Sequence, residues 1–317
     1  MTREHQAFVN DLQAELLTTD EFKTHKFRIL DHMDIIPESD IMSGEARVYF
    51  ECGDNKDIKQ VCSVKIGDLF AYYEDGCDIR TIAEKILNHL NMIYDMGIEK
   101  MASEITDYSR ISSRLFVRLL NYDNNRKALE QAVYRRVGDV AEVLYIKAGE
   151  NEGVLTSTKV RKDFLRIWNM DENQVFDKAR SNTLVNNPPR LYDWRKLLFD
   201  CGYEGDEFMG ESGSNVLTRE PAGNCITTKN KTNGAVAAFL PGVLERVSEL
   251  LESDLYIAFT SIHEVMVHSA EQAEPSMLKD VLGSTIDECT QENDILSRNI
   301  FFFDKGKKEL TCLDIPA

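Results

Sequence analysis

Apolar and polar positions follow two periods along this chain, and these periods predict helices and strands. Apolar residues recur every three or four positions in residues 4–17, in the segment that starts at Asp78, and in PGVLERVSELLES from Pro241. This spacing is typical of amphipathic helices. Shorter runs rich in β-branched and aromatic residues predict strands, as in the hairpin candidates ARVYFEC–QVCSVKI and NIFFFDKGKKELTCL.

The order of these elements predicts an α+β fold. Strand pairs are separated by single helices without strict β-α-β alternation, which favours a mixed or antiparallel sheet with interspersed helices. We expect a small N-terminal α+β unit over residues 1–105 and a larger α+β domain over residues 106–317, one continuous domain being the alternative. CITTKNKTNGAVAAFL predicts two strands around a turn ending at Asn233-Gly234. Residues 200–224 predict a long loop or a poorly ordered insertion.

The segment TSIHEVMVHS, residues 260–269, carries two of the six histidines. A zinc protease helix requires H-E-x-x-H, because residues four apart share one helical face and can bind one ion. His263 and His268 are five apart, and the surrounding LYIAFTSIHEVMV is typical of a strand. We therefore predict no metal site here. On a regular strand, His263 and Glu264 lie on opposite faces.

The composition is that of a folded protein without a membrane-spanning segment. The chain is 43% hydrophobic with seven prolines, and no apolar run reaches the ~18 residues that suggest a spanning helix. Its amphipathic start lacks the apolar core of a signal peptide. Seven scattered cysteines without a C-x-x-C pair fit reduced thiols. We expect a cytoplasmic protein with no role at a membrane.

The net charge of −17 disfavours nonspecific binding of nucleic acid and fits a basic protein partner. The middle third nevertheless has a small basic excess, with arginines at 110, 114, 118, 126, 135 and 136. Two interpretations are open for these arginines. They form a local basic face that binds nucleic acid, or they pair with carboxylates of the acidic flanks.

Familiar catalytic motifs are absent or incomplete. GESGS at 210–214 ends in serine where the G-x-S-x-G elbow has glycine, and no strand precedes it. There is no G-x-x-x-x-G-K-[ST] or G-x-G-x-x-G loop, so we expect no cofactor. Ser261, His263 and Glu264 have the chemical types for general acid–base catalysis. A catalytic triad would need partners from elsewhere in the chain, because His263 and Glu264 are adjacent.

Three segments together resemble a known family: LLNYDNNRKAL, GDVAEVLYI and NGAVAAFLPGVLERVSELLESDLYIAFTSIHEV. In this order they are similar to the bacterial and mobile-element family catalogued as domain of unknown function 5688. The positions that carry the resemblance are Asn121, Asn125, Asp139, Gly234, Pro241, Gly242, Ser261, His263 and Glu264. Phe259-Thr260 departs from the proline and serine that members tend to have there. The resemblance implies an architecture and a bacterial or mobile-element setting, but no reaction.

The sequence therefore predicts a non-catalytic interaction, inhibitor or regulatory protein whose partner is an unidentified, basic protein. Asn121, Asn125 and Asp139 are its candidate binding residues. The alternative is a hydrolase-type enzyme that uses Ser261, His263 and Glu264. Nucleic-acid binding through the arginine-rich middle is the weaker alternative.

Overall fold

The computed structural model describes residues 3–24, 26–30, 47–52, 60–95, 104–151, 154–193, 196, 202–210, 217–220 and 222–315. The chain divides into two compact units. One comprises Met1–Ile105 with Ala148–Thr156, and the other comprises Thr106–Lys147 with Ser157–Ala317. The two-domain organisation itself stays a prediction.

The first unit is built on a three-stranded antiparallel sheet of order β1-β2-β3. Its described elements are α1 (Arg3–Leu16), α2 (Asp20–Lys23), β1 (Phe27–Leu30), β2 (Arg47–Cys52), β3 (Gln60–Lys65), α3 (Ile66–Glu74) and α4 (Ile79–Asp95). The predicted hairpin is confirmed, because β2 and β3 pair with Phe50 opposite Cys62. Its connecting turn, residues 53–59, lies outside the described residues.

Helix α4 begins where Asp78 caps its N-terminus. The Asp78 carboxylate accepts hydrogen bonds from the backbone N–H of Thr81 at 2.8 Å and from the Thr81 hydroxyl at 3.1 Å. These bonds lower the pKa of the Asp78 carboxyl, since they stabilise its charged form. The apolar face predicted from the spacing is buried, with its members at Ile82, Ala83, Ile86, Leu87 and Leu90.

The second unit contains two sheets and the helices that cover them. Its helices are α5 (Tyr108–Ile111), α6 (Tyr122–Leu129), α7 (Lys162–Trp168), α8 (Glu172–Asn186), α9 (Val243–Leu251) and α10 (Pro275–Cys289), with 3₁₀ helices at Ser112–Arg114, Gly234–Phe239 and Glu292–Asp294. The strands that form the two sheets are β4 (Leu115–Asn121), β5 (Tyr134–Val137), β6 (Val140–Asn151), β7 (Val154–Lys159), β8 (Pro189–Tyr192), β9 (Asn224–Thr228), β10 (Leu255–Ala258), β11 (Val265–Ser269), β12 (Ile300–Asp304) and β13 (Glu309–Cys312). The end of β6 and the start of β7 fall in the first unit.

The smaller sheet has the order β4-β6-β5, and β7 also pairs with β6. Helix α8 packs on the face that carries Val117, whose backbone N–H donates to the Thr183 hydroxyl at 3.1 Å. Arg180 of α8 donates to both carboxylate oxygens of the buried Glu142 on β6, at 2.7 and 2.6 Å. A buried carboxylate is tolerated because this bidentate pair satisfies it.

The larger sheet has the order β13-β12-β10-β11-β9-β8, and each neighbouring pair is antiparallel. Alternate side chains on one face are fully or nearly fully buried: Leu255, Ile257, Val265, Val267, Phe301 and Phe303. On the other face, Leu282 and Ile286 of α10 pack against Ala258 and Ile300. The predicted hairpin from Asn299 is confirmed as β12 and β13.

The predicted α+β class, with antiparallel sheets and interspersed helices, is confirmed. None of the helices in the described residues combines the length and the hydropathy that crossing a membrane requires.

Half of the hairpin predicted in CITTKNKTNGAVAAFL is wrong. Its first half is β9, as predicted, but residues 234–239 form a 3₁₀ helix. Asn233 turns the chain with φ 55°, and Gly234 then packs against β9 so closely that a Cβ would lie 1.8 Å from Thr227 Oγ1. Residues 234–238 are all buried. A short run that is apolar on every side fits a buried strand and a buried helix equally well, so its periodicity did not distinguish them.

The loop predicted for residues 200–224 lies partly in the described chain. Residues 202–210, 217–220, 222 and 223 form no regular helix or strand. One isolated bridge joins Leu191 to Asp206, and the Phe208 side chain is fully buried. The loop is therefore anchored to the core of the second unit.

Substituting Gly234 by alanine is expected to lower the free energy of unfolding by at least about 2 kcal/mol, because the new methyl group overlaps backbone atoms as well as Thr227. Gly283→Ala in α10 is the matched control, since a Cβ there has no atom within 4 Å. We expect the control to be neutral or stabilised by up to about 1 kcal/mol, because alanine favours helix. Urea denaturation of both variants measures the difference, and equal midpoints would contradict it.

Candidate functional site

LYIAFTSIHEVMVHS predicts one bent strand or two, and the structure has two: Ser261, His263 and Glu264 lie in the turn between them, beside a strand end. Strand β10 ends at Ala258 and β11 begins at Val265. The connection is held in a turn because the Ile262 backbone bonds distant segments: its N–H donates to Asp294 O at 2.8 Å and its carbonyl accepts from Ala235 N at 3.2 Å. Local composition alone indicated a strand.

Both ring nitrogens of His263 face a polar group of another segment. Its Nδ1 accepts a hydrogen bond from the backbone N–H of Asn233 at 3.1 Å. Its Nε2 lies 3.5 Å from Oδ2 of Asp294, and both side chains are partly exposed. In the neutral ring one nitrogen accepts and the other carries hydrogen. Nδ1 is therefore the acceptor, and Nε2–H faces the carboxylate.

His263 acts as a structural brace, by which we mean that it links three segments: its own turn, the segment at Asn233 and the segment at Asp294. A general base needs a ring nitrogen whose lone pair reaches the proton of a substrate or nucleophile. The Nδ1 lone pair is engaged by Asn233, and Nε2 carries the hydrogen toward Asp294. His263 thus has the surroundings of a structural histidine.

Ser261 and Thr227 fix the backbone of the same turn. The Ser261 hydroxyl oxygen accepts from the His263 N–H at 3.0 Å, and the Thr227 hydroxyl donates to the His263 carbonyl at 2.6 Å. Ser261 therefore acts as a turn residue, in the way that serine side chains commonly bond the backbone two residues on.

Glu264 bonds two neighbours on adjacent segments. Its Oε1 accepts from the Thr260 hydroxyl at 3.1 Å, and its Oε2 lies 3.7 Å from the Cys225 Sγ. Burial raises the pKa of the Cys225 thiol to about 12, and the Glu264 charge contributes to the increase. Cys225 is consequently protonated and unsuited to act as a nucleophile at neutral pH.

Asn121 and Asn125 organise the start of α6. The Asn121 side chain accepts from the Asn124 N–H at 2.9 Å and donates to the Leu296 carbonyl at 3.0 Å, while the Asn125 amide donates to the Asn121 carbonyl at 2.9 Å. Asn121 ends β4 and caps α6 in one step. The chain thus passes directly from strand to helix at Asn121.

Asp139 is engaged through its side chain and its backbone. Its carboxylate accepts from the Ser297 hydroxyl at 2.7 Å, and its carbonyl accepts from the Tyr122 N–H at 2.7 Å. The Ser297 oxygen in turn accepts from the Asn299 N–H at 3.0 Å. Asp139 thereby ties the turn before β6 to both α6 and the segment that precedes β12.

Three of the six candidate residues contact one segment, residues 290–299, which we call the connector because it joins α10 to β12. His263 contacts it at Asp294, Asn121 at Leu296 and Asp139 at Ser297. The three candidates thus share a neighbouring segment without bonding one another. No sequence motif pointed to the connector, because two of its contacts use backbone carbonyls and Leu296 lies 175 residues from Asn121.

The two histidines do not form a metal site. His263 lies in the turn, whereas His268 lies in β11 and is buried. Across the residues that the structure describes, no group of three or more His, Cys, Asp or Glu side chains is placed to hold a metal ion.

The outward face of α10 has a different character from the turn. Met277 and Val281 are 67% and 62% exposed, although they are large and apolar. They lie four residues apart, and Glu288 seven residues further continues the same side of the helix. Among the exposed large apolar side chains of the described chain, these two alone share such a spacing.

Carboxylates surround this apolar pair. Asp280 and Glu288 are exposed on α10, and Glu274 is exposed just before it. None of the three has a Lys or Arg within ion-pair distance among the described residues, whereas Asp287 pairs with Arg298 at 2.7 Å. We call Glu274, Met277, Asp280, Val281 and Glu288 the α10 face.

The arginines of the middle region divide between ion pairs and aromatic contacts. Arg110, Arg126 and Arg135 pair with Asp107, Asp123 and Glu172, all within the middle region and not in the acidic flanks. Arg118 lies over the rings of Phe116 and Tyr145, and Arg136 lies over Tyr122.

Asn121→Ala is expected to lower the free energy of unfolding by about 2 kcal/mol, because it removes the α6 cap and the bond to the connector. Asn124→Ala is the control, as its exposed side chain stands in the same helix. Urea denaturation compares the two variants. Equal stability would show that the contact with the connector is not needed.

Glu264→Gln is expected to lower the pKa of Cys225, since it removes a negative charge that opposes the thiolate. Below its pKa, the thiolate fraction of a thiol changes about tenfold for each unit between pH and pKa. A lower pKa therefore gives the variant more thiolate, and Cys225 should react faster with iodoacetamide at every pH below about 10. Peptide mapping after timed alkylation measures the rate, with the exposed Cys289 as internal reference. Glu288→Gln is the control. Wild-type Cys225 reacting as fast as Cys289 would contradict the raised pKa.

Comparison with known proteins assigns the chain to one family. The model of DUF5688, described as a family of unknown function, matches residues 54–305, which is most of the chain. No curated protein matches the sequence and no solved structure matches it. The predicted resemblance is thereby confirmed, and the chain belongs to the DUF5688 family.

Proposed function

We propose that this protein binds a basic protein partner through the α10 face and regulates or inhibits that partner by covering its surface. The observation that carries the proposal is the exposed pair Met277 and Val281 within a rim of carboxylates that lack cationic partners in the described chain. It extends the interaction role that the acidic composition suggests.

Burial of the apolar pair Met277 and Val281 against a partner would supply binding free energy. Burying apolar surface contributes about 25 cal/mol per Å², so two large side chains held four residues apart on a helix can anchor a partner. Helices that bind in grooves present anchors at this spacing. Both side chains are more than half exposed in the chain alone.

The carboxylates supply the selectivity. Glu274, Asp280 and Glu288 repel acidic surfaces and attract Lys and Arg around a complementary apolar groove. A chain of net charge −17 also draws basic proteins from a distance, mainly by raising the association rate. We therefore expect a partner whose groove is apolar in its centre and basic at its rim.

The hydrolase alternative has less support in the same geometry. Nδ1 of His263 accepts from Asn233, Nε2 lies 3.5 Å from the Asp294 carboxylate, and the Ser261 oxygen accepts from the His263 backbone. Neither residue is arranged as a nucleophile with its base, which would require a hydrogen bond between their side chains.

The test captures partners on the immobilised full-length protein from a lysate of its source organism, at low and moderate salt. Asp280→Lys with Glu288→Lys reverses the charge of the α10 face. Asp11→Lys with Asp177→Lys makes the same change in net charge at exposed carboxylates elsewhere and serves as the control. Met277→Ser with Val281→Ser tests the apolar part.

The expected result is a basic protein retained by the wild type and the control but lost with both α10 variants. Its retention should weaken with salt, because exposed charges are screened. If every retained protein binds the α10 variants and the wild type equally, the α10 face is not the binding surface and the proposal is wrong.

A further inference from the structure

A groove of about 290 Å³ opens on the smaller sheet of the second unit. It is lined by Ala128, Gln131 and Ala132 around the end of α6, by Tyr145 on β6, by Ser157, Thr158 and Lys159 on β7, and by Arg161. This volume of about 290 Å³ lies just below the range of about 300–1,000 Å³ that is usual for small-molecule sites. The groove is therefore large enough for a small ligand.

Three positive charges stand in or beside this groove. Lys159 and Arg161 line it, and the Arg118 guanidinium lies 5.4 Å from the centroid of the Tyr145 ring. Arg161 forms an ion pair with Asp163, with 3.2 Å between Arg161 Nε and Asp163 Oδ1. Within the described residues, neither Lys159 nor Arg118 has a carboxylate at ion-pair distance. The groove is thus locally basic in a strongly acidic protein.

The charge of Arg118 is partly removed from solvent. Its side chain is partly buried, and burial lowers the pKa of its guanidinium. The rings of Phe116 and Tyr145 offset part of the desolvation by cation–π contacts at 5.2 and 5.4 Å. The Arg118 guanidinium would attract an anion in the groove, because partly desolvated charges interact more strongly than exposed ones.

The other polar groups of the lining can donate hydrogen bonds to an oxyanion. Ser157 and Thr158 offer hydroxyls and Gln131 offers an amide, while no carboxylate lines the groove. A phosphate monoester carries about −1.5 to −2 charges at neutral pH and presents three acceptor oxygens. Its charge and its three oxygens match Lys159, Arg161 and several hydrogen-bond donors better than a single carboxylate does, and of these two cations Arg161 also pairs with Asp163.

We propose that this groove binds a nucleotide phosphate, carried either by a free nucleotide or by a single-stranded nucleic acid. The phosphate contacts Lys159 and Arg161. Tyr145 lines the groove with 7% of its surface exposed, and the half-buried Phe116 ring has its centroid 5.6 Å away, so a base beside the phosphate would contact the exposed edge of these rings. The inference does not depend on the α10 face, and either proposal can fail alone.

Isothermal titration of the full-length protein tests this site with three probes: adenosine monophosphate, adenosine and a short single strand of DNA. We expect saturable binding of the monophosphate or the strand and at least about tenfold weaker binding of adenosine, because a charged hydrogen bond contributes about 1.5–3 kcal/mol. Lys159→Gln should weaken binding by a similar factor. Lys178→Gln, at an exposed lysine of α8, should leave it unchanged.

The probes also separate the two sources of the phosphate. Tighter binding of the strand indicates nucleic acid, and tighter binding of the monophosphate indicates a free nucleotide; both outcomes support the site. The proposal is overturned if neither probe binds saturably, if adenosine binds as well as its monophosphate, or if Lys159→Gln and Lys178→Gln bind alike. Thermal unfolding of each variant confirms that it is folded.

Discussion

Hydrogen bonds to the connector, residues 290–299, hold the second unit in its observed form. Asp294 accepts from the turn between β10 and β11, Leu296 accepts from Asn121 at the end of β4, and Ser297 donates to Asp139 before β6. The connector thereby bonds the end of the smaller sheet to a turn of the larger one. Each bond contributes only about 1 kcal/mol, but leaving these polar groups unsatisfied would cost more.

The same kind of hydrogen bond accounts for the polar residues that carry the resemblance to the family. Serine, histidine, aspartate and asparagine are the side chains that cap helices, close turns and bond distant carbonyls. His263, Ser261 and Asn121 perform these tasks here. The two binding surfaces that we propose lie elsewhere, on the apolar and acidic α10 face and in the basic groove beside Tyr145.

Elements governed by short-range patterns were predictable from the sequence. Helix α4 follows from a cap at Asp78 and a regular apolar face, and the hairpin of β2 and β3 follows from two β-rich runs around a polar turn. The 3₁₀ helix after Asn233 and the turn at Ser261 were not predictable, because contacts with Thr227 and the connector determine them. Within the site, His263 was found from its residue type, but its partner Asp294 belongs to a distant segment without a motif.

The position of the hydrogen on the neutral His263 ring distinguishes a structural from a catalytic histidine. A long-range ¹H–¹⁵N correlation spectrum at alkaline pH distinguishes the protonated from the unprotonated nitrogen of each neutral imidazole. We expect the Nε2–H tautomer, with Nδ1 unprotonated as the acceptor for the Asn233 N–H. An Nδ1–H tautomer would leave Nε2 with a lone pair directed away from the ring, as in a general base, and would contradict the assignment of His263 as a brace.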